Sequence, residues 1–178
     1  MVRILTTGHS TRPIETFIAM LRDAGVSLLA DVRTVPRSRH NPQYESGALA
    51  ASLDDAGIDY RHLPGLGGLR KPSKESINTG WRNASFRGFA DYMGTPAFET
   101  ALEELIALAD HRQVAIMCSE GAPFRCHRSL IADALLAHGV EAAEIGAHGH
   151  LREHKRTPFA RVNGTSVTYP PEKPAGPG

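Results

Sequence analysis

Cys118 ends an apolar run, Val114-Ala115-Ile116-Met117. It opens a glycine-containing loop, Ser119-Glu120-Gly121-Ala122-Pro123-Phe124-Arg125-Cys126-His127, that leads into a helix beginning near Arg128. A strand, a loop and a helix in that order aim backbone N–H groups and the positive end of a helix dipole at the loop, where they stabilise an anion. A thiol placed there ionises readily, because helix N-termini and arginines lower a cysteine pKa from about 8.5 into the range of roughly 3.5–7.5. Cys118 is therefore the expected nucleophile, acting as a thiolate. Arg125 and Arg128 are the expected holders of an oxyanion, since a guanidinium binds one through two parallel hydrogen bonds. Glu120 is the expected orienting group or proton donor. The competing reading is a buried, inert cysteine at a strand end, a common place for that residue.

Cys126 and His127 are adjacent, with seven residues between Cys118 and Cys126. With Cys118, and with His9 or His62, they offer soft ligands for zinc or iron, with Glu120 as a further ligand or general base, although the spacing is not a standard zinc signature. Two neighbouring thiols in a reducing compartment are expected to be reduced, catalytic or metal-binding in preference to forming a structural bridge.

Other residues suited to chemistry follow other apolar runs. His9 comes after Arg3 to Thr7, Asp31 and Arg33 close Val26 to Val32, and His62 lies in Ile58 to Leu63. Ligands bind outside the carboxyl ends of the strands in an open parallel sheet, so this placement gathers His9, Asp31, Arg33, His62, Cys118 and Glu120 at one edge. Gly8 to Thr11 and Pro64 to Gly68 are loops whose glycines permit close backbone approach, but neither matches a phosphate-binding or dinucleotide-binding fingerprint.

The elements that must position these residues are legible as alternating periodicities. Strands are expected at Arg3–Thr7, Val26–Val32, Ile58–Leu63, Gln113–Cys118 and Val140–Ile145. Helices are expected after Pro13, through Leu49 and Leu53, over Phe86–Met93, from Pro96 and over Arg128–His138. This alternation calls for an α/β fold, a mostly parallel sheet with helices on both faces. Asn163-Gly164, between Phe159–Val162 and Ser166–Tyr169, signals a C-terminal β-hairpin. The segment from Leu69 to Ala84 lacks apolar periodicity and reads as a functional loop or lid. His148, His150 and His154, interleaved with Arg152, Lys155 and Arg156, read as a solvated loop in preference to a metal tract or basic patch. Residues 1–169 form one expected domain, and 170–178 an expected disordered tail rich in proline and glycine.

The 178 residues, 41% of them hydrophobic, suffice for one ordinary core and exclude a fibrous or disordered protein. No apolar run approaches the roughly 18 residues that span a bilayer and no secretory signal is evident, so a cytoplasmic location and no membrane partner are expected. The net charge of +1 predicts no polyanion partner from bulk electrostatics. Its distribution is uneven. Arg33, Arg37 and Arg39, then Arg61, Arg70, Lys71, Lys74, Arg82 and Arg87, crowd two loop regions, while acids gather at Glu99, Glu103, Glu104 and Asp110. Such a positive face suits phosphate, sulfate, carboxylate or a nucleic-acid backbone.

Several of these motifs carry a resemblance. Thr7-Gly8-His9-Ser10-Thr11, Asp31-Val32-Arg33 with Pro36-Arg37-Ser38, His62-Leu63-Pro64 with Leu66-Gly67-Gly68, Asn83 to Gly88 with Ala90 to Met93, and Met117 to Glu120 with Cys126-His127-Arg128 resemble the bacterial family called domain of unknown function 488 across nearly the whole chain. That family name implies no activity. A more local likeness joins Asp31-Val32-Arg33 and Val114 to Gly139 to rhodanese-like sulfurtransferases, and more loosely to cysteine phosphatases. It implies that Cys118 is a nucleophile and Arg125 its anion holder. The six residues between Cys118 and Arg125, with Pro123 among them, make a longer loop than either family uses.

The expected function is an enzyme acting on a small anionic or nucleotide-like substrate. Cys118 would serve as thiolate, Arg33, Arg125 and Arg128 as anion holders, and His9, His62 or His127 as acid/base groups. Two alternatives stay open: a metal-dependent enzyme using zinc or iron, and a nucleic-acid binding or repair module in which Trp81 and Phe86 stack on bases.

Overall fold

The computed structural model describes residues 2–172, so the last six residues of the expected tail lie outside the described residues. The chain forms strand β1 (Arg3–Gly8), helix α1 (Ile14–Asp23), β2 (Leu28–Asp31), α2 (Ser46–Asp55), β3 (Asp59–His62), α3 (Ala84–Met93), α4 (Pro96–Leu108), β4 (Val114–Cys118), α5 (Arg128–Ala137), β5 (Glu141–Ile145) and the short strands β6 (Leu151–Glu153), β7 (Arg161–Asn163) and β8 (Ser166–Thr168). Six strands make one sheet in the order β3-β2-β4-β1-β5-β6, parallel throughout except for β6, and β7 and β8 form a separate antiparallel hairpin. The α/β fold with a mostly parallel sheet is thus the one the periodicities call for.

Local chemistry sets the helix ends. Asn83 accepts from the Ser85 and Phe86 amides at 2.8 and 3.2 Å, opening α3, and Thr95 followed by Pro96 opens α4. Beyond α1, Gly25 takes a φ of +73°, the left-handed conformation that ends a helix at little cost only for glycine.

Alternate residues of each strand then fill two cores. Leu5, Leu29, Ala115 and Met117 pack with Phe17, Leu21, Leu49 and Leu53 from α1 and α2. On the opposite face Ile4, Ala30, Val114 and Ile116 pack with Phe89, Phe98, Leu102, Leu130 and Leu135 from α3, α4 and α5. Helices therefore cover both faces. The parallel register aligns Gly8 with Cys118, Asp31 with Met117 and Asp31 with His62, so the polar residues after four strands emerge at one level.

Two expectations are corrected, and a third segment is described more closely. The histidine-rich tract is not wholly loop: Leu151–Glu153 adds an antiparallel edge strand to β5, and His154 Nε2 lies 2.8 Å from the buried Asp133 carboxylate. Three residues with two charges carry no alternating apolar signal, which hides such a strand. The hairpin turn is Gly164-Thr165, one residue later than Asn163-Gly164, because Asn163 pairs with Ser166. The 69–84 segment is tied down: Asp91 accepts from the Ser73 amide, Ser76 Oγ and Asn78 Nδ2 at 2.8, 2.6 and 2.7 Å, and the Tyr169 amide donates to Asn78 Oδ1 at 2.8 Å. Those bonds pull the Asp91 pKa down against the desolvation that raises it.

Candidate functional site

The loop after β4 folds back on itself through its sulfurs and one arginine. Cys118 and Cys126 are joined as a disulfide, correcting the expectation of two reduced thiols. Both are nearly buried, at 3% and 5% exposure, and both line an open cavity of about 400 Å³ at the carboxyl edge of the sheet. Its wall also holds Arg33, Arg37, Arg125, Glu120, Leu69, Phe86 and His127.

Arg128 organises this loop from behind. Fully buried, it sends Nη1 to Cys118 Sγ at 2.7 Å and to the Glu120 carbonyl at 2.5 Å, and Nη2 to the Gly121 carbonyl at 3.0 Å. Its Nε and Nη2 are also gripped by Glu144 at 3.3 and 2.8 Å, and Thr6 Oγ1 donates to the same carboxylate. With its donors taken up inside the protein, Arg128 stabilises Cys118 and the loop, where the sequence suggested an oxyanion holder. The Cys118 sulfur is met by this guanidinium and by the Glu120 carbonyl at 3.6 Å, not by a ring of amides.

Cys126 has a different neighbour. The Arg128 amide, at the start of α5, points to Cys126 Sγ at 3.5 Å, and His127 Nδ1 lies 3.6 Å from the same sulfur. His127 Nε2–H donates to the carbonyls of Val32 and Leu66 at 2.9 and 3.0 Å, which leaves Nδ1 as the acceptor. Burial, with Arg128 and Arg70 adding to it, pushes the His127 pKa down to about 4 despite the two carbonyls, so the ring is neutral at pH 7.

Arg33 stands at the wall of the cavity, 5% exposed, and Asp31 holds its Nε and Nη2 at 2.9 and 2.7 Å. Tyr60 donates to the same carboxylate at 2.6 Å. Arg33 Nη1 donates to His9 Nε2 at 3.4 Å, and the other ring nitrogen of His9 donates to the Ser10 carbonyl at 2.7 Å. Burial lowers the His9 pKa to about 4. His9 stacks on Tyr44, 4.1 Å between ring centres, and sits behind Arg33, outside the cavity wall. His62 donates to the Arg33 carbonyl at 2.7 Å and likewise supports the wall from outside. The cavity thus brings together Cys118, Cys126, His127, Glu120, Arg33 and Arg125, while His9, His62 and Arg128 lie in the layer that holds them. Because Asp31 neutralises Arg33, the excess positive charge at the mouth comes from Arg37 and Arg125 against Glu120.

Two residues without an expected role matter here, and two glycines expected to admit a ligand do something else. Glu144 and Thr6 anchor Arg128; an acid inside the apolar run of β5 was the available signal. Gly8 and Gly68 serve close packing of protein on protein: a Cβ on Gly8 would fall 1.7 Å from the Glu120 carbonyl oxygen, and one on Gly68 2.6 Å from His127 Nδ1. Trp81 is packed against Phe86, Phe159 and Tyr169 at 4.8–5.4 Å between ring centres. Among the described residues, no group of three or more His, Cys, Asp or Glu side chains is arranged to hold a metal ion.

Residues 13–135 match the family model described as domain of unknown function DUF488. The chain belongs to this family. The matched span holds the β2, β3 and β4 motifs and the whole Cys118–Arg128 loop, and leaves out the Thr7–Thr11 motif and everything after α5. No curated protein and no solved structure matches this DUF488 chain. None of its helices is long and apolar enough to cross a membrane among the described residues.

Proposed function

We propose that this protein is an enzyme that admits a small anion to the carboxyl-edge cavity and attacks it with Cys118, in the thiolate form that follows reduction of the Cys118–Cys126 bond. The observation that carries this reading is Arg128 Nη1 at 2.7 Å from Cys118 Sγ, inside a pocket whose mouth bears Arg37 and Arg125. A fixed guanidinium beside sulfur favours the charged form, which is the nucleophilic one. Arg125, exposed at the rim, would orient the anion, and Arg33, locked by Asp31 and His9, would stiffen the wall beside it. Glu120, exposed at the rim, would help orient the substrate. These roles are compatible with the likeness of the loop to a rhodanese-type nucleophile loop, although here the guanidinium comes from the helix behind the loop.

Alkylation after reduction tests the reading. Iodoacetamide at neutral pH is expected to label Cys118 first, and sulfate, phosphate or a small carboxylate at constant ionic strength is expected to slow that labelling, less so in Arg125→Ala. Labelling that Cys118→Ser leaves unchanged would remove the nucleophile. Labelling indifferent to all three anions would remove the anion site.

A further inference from the structure

The two sulfurs are served by different groups, and the difference has a chemical meaning. Cys118 faces a cation that cannot lose its proton, so in the reduced protein it is the thiolate. Cys126 faces the free nitrogen of a neutral imidazole whose other nitrogen is held by two carbonyls, an acceptor that favours the protonated thiol once the bridge is reduced. Gly68 preserves this arrangement, since any side chain there would meet the imidazole. A bridge that served only to staple the loop would need neither group, because helix, strand and Arg128 contacts already hold residues 118–128. A thiolate beside a protonated thiol, both opening on one cavity, is the arrangement that makes and breaks a disulfide in turnover.

We infer that Cys118 and Cys126 form a redox-active pair, in which Cys118 attacks a low-molecular-weight disulfide bearing carboxylates and Cys126 resolves the mixed disulfide. This rests on the reading of Cys118 as a thiolate in an anion-binding cavity, and it names the substrate class. In the first step the Cys118 thiolate forms a bond to one substrate sulfur, the substrate S–S bond breaks, and one half leaves as a thiolate. In the second, Cys126 gives its proton to His127 Nδ1 and on to water, its sulfur bonds to Cys118 Sγ, and the other half of the substrate leaves as a thiolate. The substrate has taken two electrons and the protein is left as the disulfide. A dithiol reductant restores it by exchange, becoming a disulfide itself and returning Cys118 as thiolate and Cys126 as thiol, with one proton released. Arg37 and Arg125 at the mouth meet the carboxylates, and Leu69 and Phe86 provide an apolar wall for the carbon chain.

The test uses the full chain, reduced with dithiothreitol, freed of reductant and mixed with oxidised glutathione as the probe, followed by intact mass. Wild type is expected to pass to the internal disulfide with release of both halves of the probe, and Cys126→Ser to stop at a mixed disulfide on Cys118. Oxidised glutathione is expected to react faster than the uncharged hydroxyethyl disulfide by about tenfold or more, as for a charge-steered encounter, and Arg125→Ala to narrow that ratio. If Cys126→Ser gains no adduct while iodoacetamide still labels Cys118 and sulfate still protects it, the disulfide chemistry fails and the anion-directed thiolate survives. If Cys118 labels with neither reagent, both fail. Should Cys126→Ser not fold, the wild-type products decide: a reduced protein that retains its cooperative unfolding transition and releases both halves supports the pair. One that loses the transition on reduction shows a structural staple and overturns it.

Discussion

Arg33 and Arg128 are held in the same way and put to different use. Each gives Nε and Nη2 to a carboxylate, Asp31 in one case and Glu144 in the other, and each carboxylate is anchored by a hydroxyl, from Tyr60 or from Thr6. That leaves one corner, Nη1, directed at the carboxyl edge of the sheet. For Arg33 the corner meets His9, a neutral ring behind the cavity wall; for Arg128 it meets Cys118 Sγ and the carbonyl of Glu120. The difference teaches that a buried ion pair at this edge is a mount. What it presents depends on the residue opposite its free corner: with Arg33 the mount stiffens the wall of a pocket, and with Arg128 it sets the charge of a sulfur.

Removing the arginines should give the largest effects and separate the two mounts. Arg128→Met strands Glu144 and releases the Glu120 and Gly121 carbonyls, which should cost about 3–5 kcal/mol by urea unfolding. Arg33→Met should cost less, because Asp31 keeps the Tyr60 hydroxyl and the residue 33 amide as donors and no backbone carbonyl is released. An equal or larger loss for Arg33→Met would break the comparison.

A smaller effect comes from the histidine beside each arginine. Burial holds His9 and His127 neutral down to about pH 4, with Arg33 and Arg128 respectively adding to the downward push. The unfolded chain takes up protons near pH 6.5 while the native chain does not, so between about pH 6.5 and pH 4 stability should fall as pH falls. The loss should be roughly 2–3 kcal/mol for each histidine and about 5 kcal/mol for the pair. Chemical denaturation across that window should show the slope, reduced by roughly half in His9→Gln. A flat profile would mean that the rings are not held neutral.

Much of this was legible in the sequence because of periodicity. Apolar runs and turn residues placed the five parallel strands and five helices, and the rule that parallel strands present their carboxyl ends together brought Asp31, Arg33, His62 and Cys118 to one edge. Side-chain pairing was not legible. Nothing in the sequence separates Arg125, exposed at the rim, from Arg128, buried behind the sulfur; only helical phase and the position of Glu144 two strands away decide that. The cysteine bridge was hidden for a similar reason, since a span of seven residues can run extended or, as here, fold back through a tight turn at Pro123–Arg125. The 69–84 segment reads as a functional loop or lid because it lacks periodicity, and the three hydrogen bonds that the Asp91 carboxylate accepts from it could not be read from the sequence.

The charge that Arg128 imposes on Cys118 is measured most directly by the pH dependence of Cys118 alkylation in the reduced protein. With the guanidinium in place the rate should reach half its plateau well below the ordinary thiol value of about 8.5, inside the range of roughly 3.5–7.5 found beside fixed cations. Arg128→Met should return the midpoint toward about 8.5, while Arg33→Met should leave it near the wild-type value. A wild-type midpoint at or above the ordinary value, or one that Arg33→Met moves as far as Arg128→Met does, would contradict the assignment of Arg128 as the group that makes Cys118 a thiolate.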